Sequence, residues 1–100
     1  MNQFSETDTY TTWFSALRDV QAKARINARL RRAELGNFGD CEPVGDGVSE
    51  MRIHYGSGYR VYLVQRGHEV FILLAGGDKS TQSKDIKSAL QLARKLKEKA

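Results

Sequence analysis

A chain of 100 residues with 40% apolar residues, nine aromatics and one proline has the make-up of one small globular domain spanning 1–100, not of a disordered segment. Its core must be small, which excludes a deep metabolite pocket and puts function on a surface or shallow groove. The net charge of +4 is unevenly spread: residues 18–35 and 80–100 each hold six basic and two acidic side chains, against one and four in residues 36–58. Two basic segments around an acidic middle fit a polyanionic partner or an acidic protein, or are solvated helix faces.

Residues 2–7 are compatible with a short strand. Asp8 is placed to cap a helix whose Tyr10, Trp13, Phe14 and Leu17 form an apolar stripe at spacings of three and four. A second helix is predicted from about Val20 to Leu35, with Ala22, Ile26, Leu30 and Ala33 on one face and Arg25, Arg29 and Arg32 on another; Gly36-Asn37 closes it. The two helices read as an α-hairpin covering one face of a sheet.

Asn37 to Gly47 reads as a loop or short edge strand, and Pro43 excludes a central position. Strands are predicted at about 48–55, 58–66 and 69–76, joined by turns at Gly56-Ser57-Gly58 and Arg66-Gly67-His68. The run Val70 to Ala75 is apolar on both faces, as expected of a central strand covered on both sides. A Gly-Gly-Asp-Lys turn follows. Ser80 or Thr81, with Ser83 as an alternative, then caps a last helix with Ile86, Ala89, Leu90, Ala93 and Leu96 along one face and Lys95, Lys97 and Lys99 at its end. The predicted order is β-α-α-β-β-β-α: an α+β fold with an N-terminal α-hairpin on an antiparallel sheet and a C-terminal helix.

Cys41 is alone, which excludes an internal disulfide and a cysteine zinc site, and His54 and His68 lack metal-ligand spacing. No metal or other cofactor is expected. The N-terminus is polar and no apolar run approaches membrane length, so the expectation is a cytoplasmic protein without membrane contact.

Strand alternation puts Glu50, Arg52 and His54 on one face of their strand. If the next strand pairs with it as a hairpin, Arg52 and Arg60 share a surface with a carboxylate and a ring. Guanidiniums on a rigid sheet suit phosphate, because each offers a planar fork of donors.

Three strings, Gly45 to Gly56, Gly58-Tyr59-Arg60-Val61-Tyr62 and Leu73 to Gln82, resemble the addiction-module killer family, the HigB-like branch of the RelE/ParE toxin superfamily. Upstream, Ala22 to Ile26, Arg29-Leu30, Gly36-Asn37, Gly39-Asp40 and Pro43-Val44-Gly45 extend the similarity over roughly the whole chain. The resemblance implies a toxin paired with a helix-turn-helix antitoxin in a hetero-oligomer. Most of the superfamily cleaves mRNA on the ribosome without a metal; the ParE branch inhibits DNA gyrase by protein contact. Fold alone does not choose between these.

The resemblance makes Arg60 the catalytic strand arginine, with Arg52 as a second phosphate contact and Lys79 as the cation near the leaving oxygen. Arg60 is otherwise an ion-pair partner of Glu50, and Lys79 otherwise a surface charge. For the general base, Glu42 resembles the position of a catalytic carboxylate in some superfamily members. Glu50 is a rival, and His54 another, since histidine is the side chain best suited to proton transfer near neutrality. The paired histidines of the best-known HigB nucleases are missing. Tyr62 would stack on a base or pack in the core. Arg25, Arg29 and Arg32 would contact ribosomal RNA through salt-sensitive backbone contacts.

Overall fold

The computed structural model describes residues 1–98, so Lys99 lies outside the described residues. The chain runs β1 (Gln3–Glu6), α1 (Asp8–Ala16), α2 (Val20–Glu34), β2 (Cys41–Gly45), β3 (Val48–Ile53), β4 (Tyr59–Arg66), β5 (Val70–Gly77), a short 3₁₀ turn (Lys79–Thr81) and α3 (Gln82–Glu98). The strands make one sheet in the order β1-β5-β4-β3-β2. The α+β class, the α-hairpin and the C-terminal helix are as the sequence predicts.

The segment around Pro43 forms edge strand β2, one of the two alternatives expected for it, where the missing N–H does no harm. Other details differ. β1 lies parallel to β5, so the sheet is mixed, and β5 is an interior strand between β1 and β4. Thr7, not Asp8, caps α1: its hydroxyl oxygen accepts from the Tyr10 N–H at 3.2 Å while donating to the Leu73 and Leu74 carbonyls. Finally, a 3₁₀ turn precedes α3, and Asp78 caps it by accepting from the Ser80 N–H at 2.8 Å.

Two cores lie on the two faces of the sheet, as strand alternation requires. Tyr10, Ile26 and Ala33 from α1 and α2 pack with Met51, Ile53, Val61, Leu63, Phe71 and Leu73. On the other face Ala89 and Ala93 of α3 pack on Val48, Tyr62, Ile72, Leu74 and Ala75. Gly76 and Gly77, read from the sequence as turn residues, belong to β5, opposite Val61 and Arg60. Their side chains would point to opposite faces, and each position is filled by a neighbour. The indole of Trp13 occupies the space of a Cβ at 76, and the carboxylate of Asp85 that of a Cβ at 77. Glycine is required there by close packing, since neither backbone has a positive φ.

Gly76→Ala should therefore force Trp13 off the sheet and cost about 1–3 kcal/mol by overpacking. Urea unfolding checks this, and an unchanged midpoint would show that the indole moves aside freely.

Candidate functional site

The α3 face of the sheet carries a polar cluster at the end where β3 leaves and β4 begins. In the β3–β4 ladder Glu50 stands opposite Tyr62, and Arg52 opposite Arg60. Glu50 is 1% exposed. One of its oxygens accepts from Arg52 Nε at 3.1 Å and Arg60 Nη1 at 3.3 Å; the other accepts from the Tyr62 hydroxyl at 2.9 Å and Gln82 Nε2 at 3.0 Å. A carboxylate has about four lone-pair sites, and donors from β3, β4 and α3 fill them all. Burial pushes the Glu50 carboxyl up, but the hydrogen bonds from Tyr62, Gln82 and Arg52 and the charge of Arg60 outweigh it and hold the group below the usual glutamate range.

That saturation decides several roles. Every lone pair of Glu50 already meets a donor, which argues against the general-base role expected of it. Tyr62 is fully buried; burial first, and the Glu50 hydrogen bond second, push its phenol well above the usual tyrosine value. Its ring has no free face for a nucleotide base, which corrects the stacking expectation. Packing against α3 is what it does.

Arg60 is 9% exposed, and the ion pair with Glu50 exists. Among the described residues its hydrogen bonds run to Glu50 alone, and its Nε is buried without a partner. The guanidinium is thus anchored through one donor. Arg52 is more fully engaged: beyond Glu50 it donates to Glu42 at 3.1 Å and lies 3.8 Å from Asp40. The Glu50 hydrogen bond raises its already high pKa. Glu42 is exposed and has this contact with Arg52.

Lys79 lies exposed just beyond β5, its stem laid over Gly58, where a Cβ would sit 2.9 Å from Lys79 Cγ. Gly77 stands opposite Arg60 at the end of β5, so Lys79, two residues further on, lies at the same end of the sheet. Asp40 and Gln82 join the cluster although sequence reasoning passed them over. Their contacts cross 14 and 32 residues, which no local pattern reveals.

The three arginines of α2 do not behave alike. Arg29 donates to the carbonyls of Arg52, Phe38 (2.9 Å) and Asp40 (3.3 Å), stitching α2 to the ends of β2 and β3. It is a structural brace, not a free phosphate contact. Arg25 is exposed and lies 4.7 Å over the ring of Tyr55, while Arg32 is exposed. α2 packs on the sheet face opposite the one that carries Tyr62 and α3. The marked surface depressions avoid Arg60. One of about 460 Å³ is lined by Ser83, Lys84, Lys87, Ser88 and Gln91, and one of about 530 Å³ runs between α1 and α3 past Trp13 and Gly76. No helix among the described residues is long and apolar enough to cross a membrane.

Fold and face together define a small α+β protein whose sheet holds a braced arginine–carboxylate cluster at one end. The chain belongs to the family described as phage derived protein Gp49-like (DUF891), whose model matches residues 12–98. It is also 53% identical over 94 residues to an uncharacterized protein of Haemophilus influenzae, covering 94% of this chain and 95% of that one.

Glu50→Ala should strand Arg60 without its counter-charge and cost about 3–5 kcal/mol. Because the folded pKa of Glu50 is depressed, its stabilisation is fully present above the ordinary value of 4.5 and is lost as pH falls through the lower folded value. Urea titrations between pH 7 and pH 3 should show a shallower acid loss in the variant; Asp40 and Asp78, also depressed, supply the remainder.

Proposed function

We propose that this protein is the toxin of a type II toxin–antitoxin pair, and that it cleaves ribosome-bound mRNA without a metal until a helix-turn-helix antitoxin binds it in a hetero-oligomer. Membership of the Gp49-like family supports the toxin half, since that family groups with RelE- and HigB-like toxins. The observation that carries the nuclease half is Arg60: a guanidinium held on a rigid sheet by one carboxylate, its side chain 11% exposed, with Arg52 opposite it in the ladder and Lys79 just past the end of β5.

In-line cleavage puts negative charge on the non-bridging phosphate oxygens as the 2′-oxygen attacks. A pre-positioned cation lowers that barrier because no reorganisation is needed at the moment of reaction. Glu50 gives Arg60 that fixity. Lys79 would offset charge on the departing 5′-oxygen. Arg25, Arg32 and the lysines of α3 would supply non-specific attraction to ribosomal RNA, which weakens with salt.

A second reading, a toxin of the ParE kind acting on DNA gyrase by protein contact, is favoured by one specific feature. Asp40, Glu42 and Glu50 largely neutralise Arg52 and Arg60, and the depressions lie along α3 instead. Induced expression with mapping of transcript 5′-ends separates the two. Under the first reading Arg60→Ala lowers cleavage by about 10²–10³-fold, the usual cost of losing one transition-state donor, and relieves growth arrest. Arrest with intact transcripts and a DNA-damage response would establish the second.

A further inference from the structure

At the C-terminal end of β3 the exposed side chain of His54 places Nε2 at 2.6 Å from Asp40 Oδ2. Asp40 is itself well anchored. Its carbonyl accepts from the Arg52 N–H at 2.9 Å and from Arg29 Nη2 at 3.3 Å, and its other carboxylate oxygen faces Arg52 Nη1 at 3.8 Å. The hydrogen bond with His54, helped by the charges of Arg52 and Arg29, holds the Asp40 carboxyl below the usual aspartate range. Asp40 is therefore an acceptor, so the hydrogen bond puts a proton on Nε2 and leaves Nδ1 as the ring nitrogen that Asp40 does not engage. With the side chain 74% exposed, that nitrogen is open to a ligand.

The place of His54 in the sheet gives this pair its meaning. β3, β4 and β5 are neighbours, and His54, Arg60 and Lys79 stand at the same end of those three strands. The Asp40 carboxylate contacts both Arg52 and His54, which sets the imidazole one carboxylate away from the Arg52 guanidinium. His54 follows the last residue of β3 and Lys79 follows β5, and β3 and β5 are the strands that pair with β4 on its two sides, so the two residues come from opposite sides of the strand that carries Arg60. In-line displacement needs that disposition: the entering and leaving oxygens lie on opposite sides of the phosphorus.

We propose that His54 is the general base of RNA cleavage, with Asp40 as its positioning residue; this rests on the nuclease reading above. Nδ1 takes the proton of the 2′-hydroxyl, the 2′-oxygen forms its bond to phosphorus, and the bond from phosphorus to the 5′-oxygen breaks. Lys79 donates the proton that the 5′-oxygen needs and is reprotonated from water; His54 returns its proton to solvent. The products carry a 2′,3′-cyclic phosphate and a 5′-hydroxyl. The groups facing His54 are Asp40 beside it, Arg52 and Glu42 from β3 and β2, and Arg29 from α2 through Asp40. Glu50, saturated, and Glu42, paired with Arg52, are left without this role.

The test is single-turnover cleavage of a short mRNA on programmed ribosomes, across pH, for wild type, His54→Ala, Asp40→Asn and Arg60→Ala. His54→Ala should cleave about 10²-fold more slowly, as expected for loss of a general base. It should also lose the rise of rate with pH and recover part of the rate with added imidazole. Asp40→Asn should lose less rate, at an unchanged half-saturating concentration. His54 is a surface residue, so thermal melts of its variant should match wild type. Cleavage by His54→Ala at the wild-type rate and pH dependence, with Arg60→Ala inactive, would overturn the assignment while leaving the nuclease reading intact. Asp40→Asn at the wild-type rate would overturn the positioning role. Intact mRNA with the wild-type protein would sink the nuclease reading and this assignment with it.

Discussion

The carboxylate of Glu50 joins the two halves of this face. Burying an ionised acid is costly unless its lone pairs are met, and here β3, β4 and α3 each send a donor to it. The consequences run outward. Gln82 ties the first turn of α3 to the sheet, Tyr62 is turned into the core, and Arg60 is set beside Arg52 despite the like charge. Without that acid, two guanidiniums facing each other across a ladder would repel. A single residue thus connects the packing of the last helix to the geometry of the candidate site.

The sheet between the two cores provides rigidity, and two adjacent glycines let both layers close on it. Trp13 approaches β5 at Gly76 from one side and Asp85 approaches it at Gly77 from the other. This close approach brings the α1 and α3 layers down at the end where Arg60 pairs with Gly77. The position of Lys79 follows from the same construction. Asp78 starts a tight turn directly after β5, and the lysine stem is laid across Gly58. The cationic end of the sheet is therefore assembled from the ends of β3, β4 and β5, with backbone positions set by the ladder and not by mobile loops.

Electrostatics divide between attraction and chemistry. The site itself is nearly balanced, three carboxylates standing close to Arg52 and Arg60. The excess positive charge sits on the outer surfaces of α2 and α3. A balanced site holds its charges in place, while dispersed exposed lysines and arginines act at a distance and are screened by salt. Arg29 is the exception on α2: its donors go to backbone carbonyls, so its charge serves the fold.

Periodicity and apolar runs marked the helices, the three long strands, the two-sided burial of Phe71 to Ala75 and the shared face of Glu50 and Arg52, because these depend on spacings within one element. The choice of strand over loop for β2, the parallel pairing of β1 and the capping roles of Thr7 and Asp78 needed the folded chain, since each depends on a partner or on which of several competent side chains reaches a free N–H first. The site divided along the same line. Residue type and strand register marked the arginines, but whether a given arginine is spent or available turns on distances to groups far away in sequence. Tertiary structure alone made Arg29 a brace, closed Tyr62 off from solvent, filled every lone pair of Glu50 and set Asp40 against His54. Hydrogen-bond partners are chosen in space, and sequence spacing constrains them only within one helix turn or one strand.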